Sequence, residues 1–252
     1  MLSKNKIKAI RSLELKKNRQ ATGLFVAEGP KVVHDLLGVV RAKTLLATQE
    51  WLNHNHTFVA DEVIEVTEEE LRKVSFLQHP QQVIGIFPQS EIEHKEIPLQ
   101  DTLSIFLDGI QDPGNLGTII RIADWFGITN IVCSPDTADV YNPKVVQATM
   151  GSIARVHTTY TDLAKTLSQL PPDFPVYGTL LDGDNIYANQ LTTNGVIIMG
   201  NEGKGISPAI RSMVNRKLRI PNFPPGRITA DSLNVAVATA IVCSEFRRNM
   251  KH

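Results

Sequence analysis

Leu107-Asp108-Gly109-Ile110-Gln111-Asp112-Pro113-Gly114-Asn115-Leu116-Gly117 leaves an apolar strand, passes through a turn-rich loop and enters a helix that begins near Asn115 and carries Arg121. Two later stretches repeat this chemistry. Gly200-Asn201-Glu202-Gly203-Lys204-Gly205 follows the apolar run Val196-Ile197-Ile198-Met199. Arg219-Ile220-Pro221 ends another strand, and a Pro/Gly-rich loop then leads to Ser232-Leu233-Asn234-Val235 at the start of a long apolar segment. A helix start offers unpaired N–H groups to whatever faces it, and glycines let a backbone approach a ligand closely. Three such loops are more than packing requires.

The surrounding pattern is a regular alternation. Strands are expected at 103–107, 130–133, 176–181, 195–199 and 217–220, and helices at 116–126, 142–150, 162–169, 207–214 and 233–249. Strand–helix alternation implies a mainly parallel sheet covered on both faces, in which ligands gather beyond the carboxyl ends of the strands. All three loops begin at such ends. Upstream, a helix is expected from residue 3 to about 18, with Ser3 as cap and Ile7, Ile10 and Leu13 on one stripe; Gly23 ends the segment. Leu24 to Ala27, Thr44 to Ala47, Val63 to Val66 and Gln82 to Phe87 read as strands. Pro30 opens a helix that Gly38 ends, and Thr67 with Glu70 forms a capping box for another that runs to about Leu77. The organisation is therefore a small α/β domain over 1–88, a polar linker over 89–102 and a larger α/β domain over 103–252.

Composition narrows the function. Of 252 residues, 42% are hydrophobic and 21% charged, as in ordinary globular chains. No apolar run reaches the roughly 18 residues of a membrane span, and the N-terminus lacks a signal-peptide core. Cys133 and Cys243 lie in apolar segments and the histidines lack ligand spacing, so neither disulfides nor a metal site is expected. A cytoplasmic protein is the expectation. The formal charge is zero, yet Lys4, Lys6, Lys8, Arg11, Lys16, Lys17 and Arg19 crowd the first twenty residues. Such a segment either tracks phosphates or is a solvated helix face.

Each loop has a bland reading beside its functional one. Asn115 and Arg121 are about 600° apart, or roughly 120° around the helix axis; they border one cleft, or they are a cap and a surface ion-pair partner. Glu202 is a site acid or a loop acid. Ser232 and Asn234 are site residues or caps, and Ser232 has no Ser-His-Asp setting. The glycine spacing at 200–205 matches neither the dinucleotide fingerprint nor a P-loop.

Jointly the segments have a family identity. Asp112-Pro113-x-Asn115-x-Gly117-x-x-x-Arg121 with Phe126-Gly127, then Gly200-x-Glu202-x-x-Gly205, then Ile220-Pro221 and Ser232-Leu233-Asn234-Val235-x-Val237-Ala238, resembles in order the motifs of the SpoU (TrmH-like) RNA ribose 2'-O-methyltransferases of the SPOUT superfamily. Ser3-x-Asn5, Lys16-Lys17-x-Arg19 and Phe25-Val26-x-Glu28-Gly29 resemble that family's substrate-binding domain, related in fold to a ribosomal protein. The resemblance implies an α/β fold whose C-terminal, mainly parallel sheet carries a trefoil knot, behind a small RNA-binding domain. It implies S-adenosylmethionine as cofactor, no metal, and a homodimer whose two chains complete each site. Thr179, Leu180, Gly200, Asn201, Glu202, Gly203, Ile220 and Leu233 would surround the cofactor. Asn115, Arg121, Glu202, Ser232 and Asn234 would occupy the catalytic positions, and the seven basic residues above would bind RNA. The loop from Pro221 to Ser232 is longer than the family's usual one and holds Asn222 where a methionine is common. Ribosomal RNA is the expected substrate. Transfer RNA, a non-catalytic ribosome-assembly factor and a nicotinamide dehydrogenase are the alternatives, the last lacking its fingerprint.

Overall fold

The computed structural model describes residues 2–89, 99–224 and 226–248. The chain forms two compact units: Met1–Glu91 with Asp139–Ala154, and Ile92–Ala138 with Arg155–His252. The expected linker over 89–102 falls mostly on residues 90–98, which lie outside the described residues.

The first unit opens with α1 (Lys4–Ser12) and α2 (Lys16–Thr22). Ser3 caps α1 by accepting from the Lys6 amide. The single helix expected through residue 18 is thus broken. Leu15 takes an extended conformation at φ −88° and ψ 128°. The break frees the carbonyls of Leu13 and Glu14, and Nη1 of Arg19 donates to both, at 2.9 and 2.7 Å. Gly23 closes α2 in the left-handed region at φ 66°, where glycine carries no steric penalty.

β1 (Leu24–Glu28), α3 (Pro30–Leu37), β2 (Thr44–Ala47), α4 (Gln49–His54), β3 (Val63–Glu65), α5 (Glu68–Val74) and β4 (Val83–Pro88) follow. The sheet order is β1-β4-β2-β3, with β4 antiparallel to β1 and β2, and β2 parallel to β3. The Thr67–Glu70 capping box forms in both directions. Alternation along the strands separates the faces. Val26, Leu46, Ile84 and Ile86 pack with Ile10 of α1, Leu13 just after it, and Leu71 and Val74 of α5. Phe25 is paired with Phe87, ring centroids 5.9 Å apart, and with Tyr141 at 4.8 Å. Tyr141 comes from the 139–154 segment, whose helix α7 (Pro143–Ala148) packs on β1.

In the second unit, β5 (Leu103–Asp108), α6 (Pro113–Trp125), β6 (Asn130–Cys133), β7 (His157–Tyr160), α8 (Leu163–Ser168), β8 (Val176–Asn185), β9 (Gly195–Gly200), α9 (Pro208–Arg211), β10 (Arg216–Arg219) and α10 (Val235–Arg247) build a sheet of order β10-β8-β9-β5-β6-β7. Every pairing in it is parallel. Val196 and Ile198 pack with Leu163 and Leu167 of α8 and Ile210 of α9. On β8, the Tyr177 ring meets Phe246 of α10 edge-on at 4.9 Å. β7 had no apolar signal to announce it: in His157-Thr158-Thr159-Tyr160 only Thr159 is buried.

The topology selects one edge for chemistry. From β5 the sheet grows one way through β6 and β7, and the other way through β9, β8 and β10. The strand order therefore reverses at β5/β9. Open α/β sheets leave a crevice at such a point, beyond the carboxyl ends of the strands.

Candidate active site

The crevice at β5/β9 is built by caps. Asp108 ends β5, and its Oδ2 accepts from the Ser207 amide at 2.7 Å, fixing the entry to α9. Asp112 caps α6, accepting from the Asn115 amide at 2.8 Å, with Pro113 in the first helical position. Asn234 caps α10, its Oδ1 accepting from Ala236 N and Val237 N at 3.0 and 3.2 Å.

Three side chains meet. Nδ2 of Asn115 donates to Oε1 of Glu202 at 2.8 Å, and Oδ1 of Asn115 accepts from Nδ2 of Asn234 at 2.9 Å. The chain Glu202–Asn115–Asn234 joins all three sequence motifs. Its polarity is dictated: an ionised carboxylate only accepts, so Asn115 turns its amide nitrogen to Glu202 and its oxygen to Asn234.

The glycine turn presents Glu202. Asn201 pairs its backbone with Gly205 in both directions, at 3.1 and 2.8 Å. Its Oδ1 accepts from Gly203 N and Lys204 N at 3.0 Å each, and its Nδ2 donates to Gly109 O at 2.7 Å. Asn201, expected beside the cofactor, thus has its side chain committed to holding the turn. A Cβ on Gly200 would lie 2.3 Å from Ile206 N and 2.4 Å from the Gly205 carbonyl carbon, so only glycine fits there. Sequence spacing shows the glycines but not this closure.

Thr179 and Leu180 sit where β8 parts from β10. Gly178 pairs with Lys217, and the next pair is Asp184 with Leu218, so residues 179–183 pass without a β10 partner. Thr179 Oγ1 donates to Ile198 O at 3.0 Å, and the Leu180 side chain enters the core. Ile220 is half-buried, and Ser232 and Leu233 are exposed in the irregular chain before α10. Arg121 lies on the exposed side of α6, roughly 9 Å along the axis from Asn115. Neither Arg121 nor Ser232 is part of the Asn115 chain.

At this edge the glycine turn is closed so tightly that a Cβ on Gly200 is excluded, and residues 179–183 of β8 fall outside the β10 register. Among the described residues, no three His, Cys, Asp or Glu side chains cluster as a metal site. Burial raises the Cys133 thiol and pushes Cys243 up to about 12, so neither is a ready nucleophile.

The basic N-terminal residues divide. Lys4, Lys8, Lys16 and Lys17 are exposed. Lys6 is ion-paired with Glu62. Arg11 donates to Ser75 O and lies over the Phe76 ring at 4.9 Å. Arg19 is 1% exposed and is held by Asp139 as well as by the carbonyls at the helix break. The expectation that Arg19 binds RNA is therefore corrected: every direction of its guanidinium fork is turned inward.

The model of the SpoU rRNA methylase family matches residues 102–244, and that of the MRM3-like substrate-binding domain matches residues 4–85. The chain belongs to the SpoU rRNA methylase family. It is 31% identical to the 23S rRNA (guanosine(2553)-2'-O)-methyltransferase RlmP of Bacillus subtilis over 96% of each chain. Among solved structures, a putative TrmH-family RNA methyltransferase from Porphyromonas gingivalis is 40% identical with TM-score 0.89, over 99% of this chain and 100% of that one. The AdoMet-bound rRNA methyltransferase of Sinorhizobium meliloti is 32% identical with TM-score 0.83, over 100% of this chain and 97% of that one. The SpoU family match spans all three motif loops joined through Asn115.

Proposed function

We infer that this protein is an S-adenosylmethionine-dependent RNA ribose 2'-O-methyltransferase acting on ribosomal RNA. The observation that carries the reading is the Glu202–Asn115–Asn234 chain, which gathers the three family motifs at the sheet's switch point. The names of the relatives favour ribosomal over transfer RNA.

The residues at the carboxyl edge divide the work. Backbone at Thr179, Leu180, Gly200 and Gly203, with Ile220 and Leu233, holds the cofactor, and Asn201 keeps its seat closed. S-adenosylmethionine, when bound, supplies a methyl group on a sulfonium that is already a good leaving group. Alignment of the ribose hydroxyl with that methyl is the main task left to the protein, and such alignment lowers a barrier by several kcal/mol. Glu202 and Asn234 fix the Asn115 amide between them, and that fixed amide orients the ribose. Arg121 anchors phosphate or steadies the developing alkoxide. Ser232 holds the loop before α10.

Three further features belong to the same proposal. The C-terminal sheet is knotted, a reading supported by α10 returning to pack along α6 and β9 after β10 at the sheet edge. The protein works as a homodimer in the cytoplasm. Lys4, Lys8, Lys16 and Lys17 contact RNA phosphates.

The test is incorporation of labelled methyl from S-adenosylmethionine into deproteinised rRNA, tRNA and ribosomal particles, with products mapped by 2'-O-methyl-sensitive cleavage. One discrete rRNA mark is expected. Label confined to tRNA overturns the substrate. No label in any of the three, with no cofactor binding by calorimetry, overturns the enzyme.

A further inference from the structure

Away from the methyl-transfer site, the first unit holds a cavity of about 440 Å³. It opens at one rim of the β1-β4-β2-β3 sheet. Pro30 follows the end of β1, Thr48 follows the end of β2, and Gln81 and Gln82 precede antiparallel β4. Three carboxyl-end loops and one amino-end loop therefore converge, since Glu68 opens the helix after β3. The size is that of a small-molecule site, ordinarily about 300–1,000 Å³.

The lining has the chemistry of a flat, neutral, hydrogen-bonding ring. Leu71, Pro30 and Pro80 give it apolar walls. The Gln81 and Gln82 amides each bring a donor and an acceptor, the complement of a base edge. Gly29 turns the chain at φ +90°, a conformation that favours glycine, and Gln81 Oε1 lies beside this turn. The two charged groups, Glu68 and Arg72, are paired with each other at 3.5 Å. Their charges cancel, which disfavours a phosphate and leaves phosphates to the exposed lysines.

We propose that this cavity receives one unstacked nucleobase of the substrate RNA. The proposal rests on the reading of the protein as an RNA methyltransferase, and it gives the substrate domain a base-reading pocket in addition to its basic surface. Structured RNA is recognised largely through bases splayed out of the stack, and loss of one hydrogen-bonding partner of a seated base weakens binding roughly tenfold.

The experiment uses the full-length protein, an rRNA transcript and the variants Gln81→Ala and Gln82→Ala. Gln81 is exposed and Gln82 half-buried, so melting followed through Trp51 should be unchanged. Expected are a roughly tenfold weaker Kd and higher KM for the transcript, with kcat and S-adenosylmethionine affinity retained. The salt dependence of binding should keep its slope, because no phosphate contact is lost. Adenosine, guanosine, cytidine and uridine titrated singly should shift the backbone amide resonances of Gly29, Lys31, Thr48, residues 68–72, Gln81 and Gln82 for at least one nucleoside. Wild-type RNA affinity in both variants, with no nucleoside shift, overturns the pocket while leaving the methyltransferase reading intact. If the unaltered protein neither binds nor methylates rRNA, the reading of the substrate falls and the pocket falls with it.

Discussion

Asn115 needs both halves of its amide, because its neighbours impose opposite demands: Glu202 accepts and Asn234 donates. Asn234→Asp isolates this point. The new carboxylate still caps α10 through Ala236 N and Val237 N, but it has no donor for Asn115. Whichever way Asn115 turns, one acceptor then faces another. Methyl transfer should fall at least tenfold, while stability stays within about 1 kcal/mol, the usual worth of a cap; rates and melting measured together decide. A similar argument applies to Glu28, buried beneath Ser75 and Phe76. Burial, the largest cause, raises its pKa above the ordinary 4.5, against the bonds from Ser75 and Phe76 and the charge of Arg11. A raised folded pKa means that the folded state holds its proton longer, so this contribution is present at low pH and is lost as pH rises through the folded value. Glu28→Gln should therefore melt higher than wild type at neutral pH, with the gap closing below about pH 4.5. A gap that is constant across pH would sink the idea. The acceptor and donor residue types at the site were legible in the sequence. Which of them touch was not, because the angle between Asn115 and Arg121 on one helix says nothing about the partners that β9 and α10 bring.

Elements were legible where periodicity and caps agreed. The Thr67–Glu70 box and the strands with near-continuous apolar runs at 103–107, 130–133 and 195–199 appear where expected. α4 and β7 were missed because each buries a single large or polar residue, Trp51 or Thr159, and leaves no stripe to read. The break between α1 and α2 was missed because no proline or glycine marks it. Its cause lies elsewhere in the chain, in an arginine whose charge suggested solvent. Removing that side chain should unfasten two helices at once. Arg19→Met strands the Leu13 and Glu14 carbonyls and leaves Asp139 without its partner, and breaking a buried pair costs about 3–5 kcal/mol. Lys16→Ala, on the exposed side of α2, should change stability by less than about 0.5 kcal/mol. Urea unfolding followed by the blue-shifted emission of buried Trp51 reports on this unit; equal midpoints for the two variants would refute the role given to Arg19. In the second unit, Gly200→Ala should force the turn apart from Ile206 and abolish S-adenosylmethionine binding in calorimetry, since the added carbon has no space.

The homodimer proposed above is argued from what a single chain leaves uncovered. On α6, Thr118, Arg121 and Trp125 recur at three- and four-residue spacing on the exposed side, and the Trp125 ring is 85% exposed. On α10, which packs along α6, Val237 is 51% exposed. Exposed aromatic and aliphatic groups on adjacent helices are characteristic of interface cores, where tryptophan carries a disproportionate share of the energy. A twofold contact would place this face against itself, bringing the partner subunit to the helix that carries Arg121. It would also explain why Arg121 stays outside the hydrogen-bonded chain of its own subunit. The expected mass by light scattering at micromolar concentration is twice 27.9 kDa. Trp125→Glu should yield the single-chain mass, with cofactor affinity and methyl transfer falling together. Acrylamide quenching gives an independent reading, since the second tryptophan, Trp51, is buried in the other unit. In the dimer Trp125 should be protected, and dilution should expose it. A wild-type protein that scatters as one chain and methylates rRNA at full rate would separate catalysis from association, and Arg121 would then have to act within its own subunit.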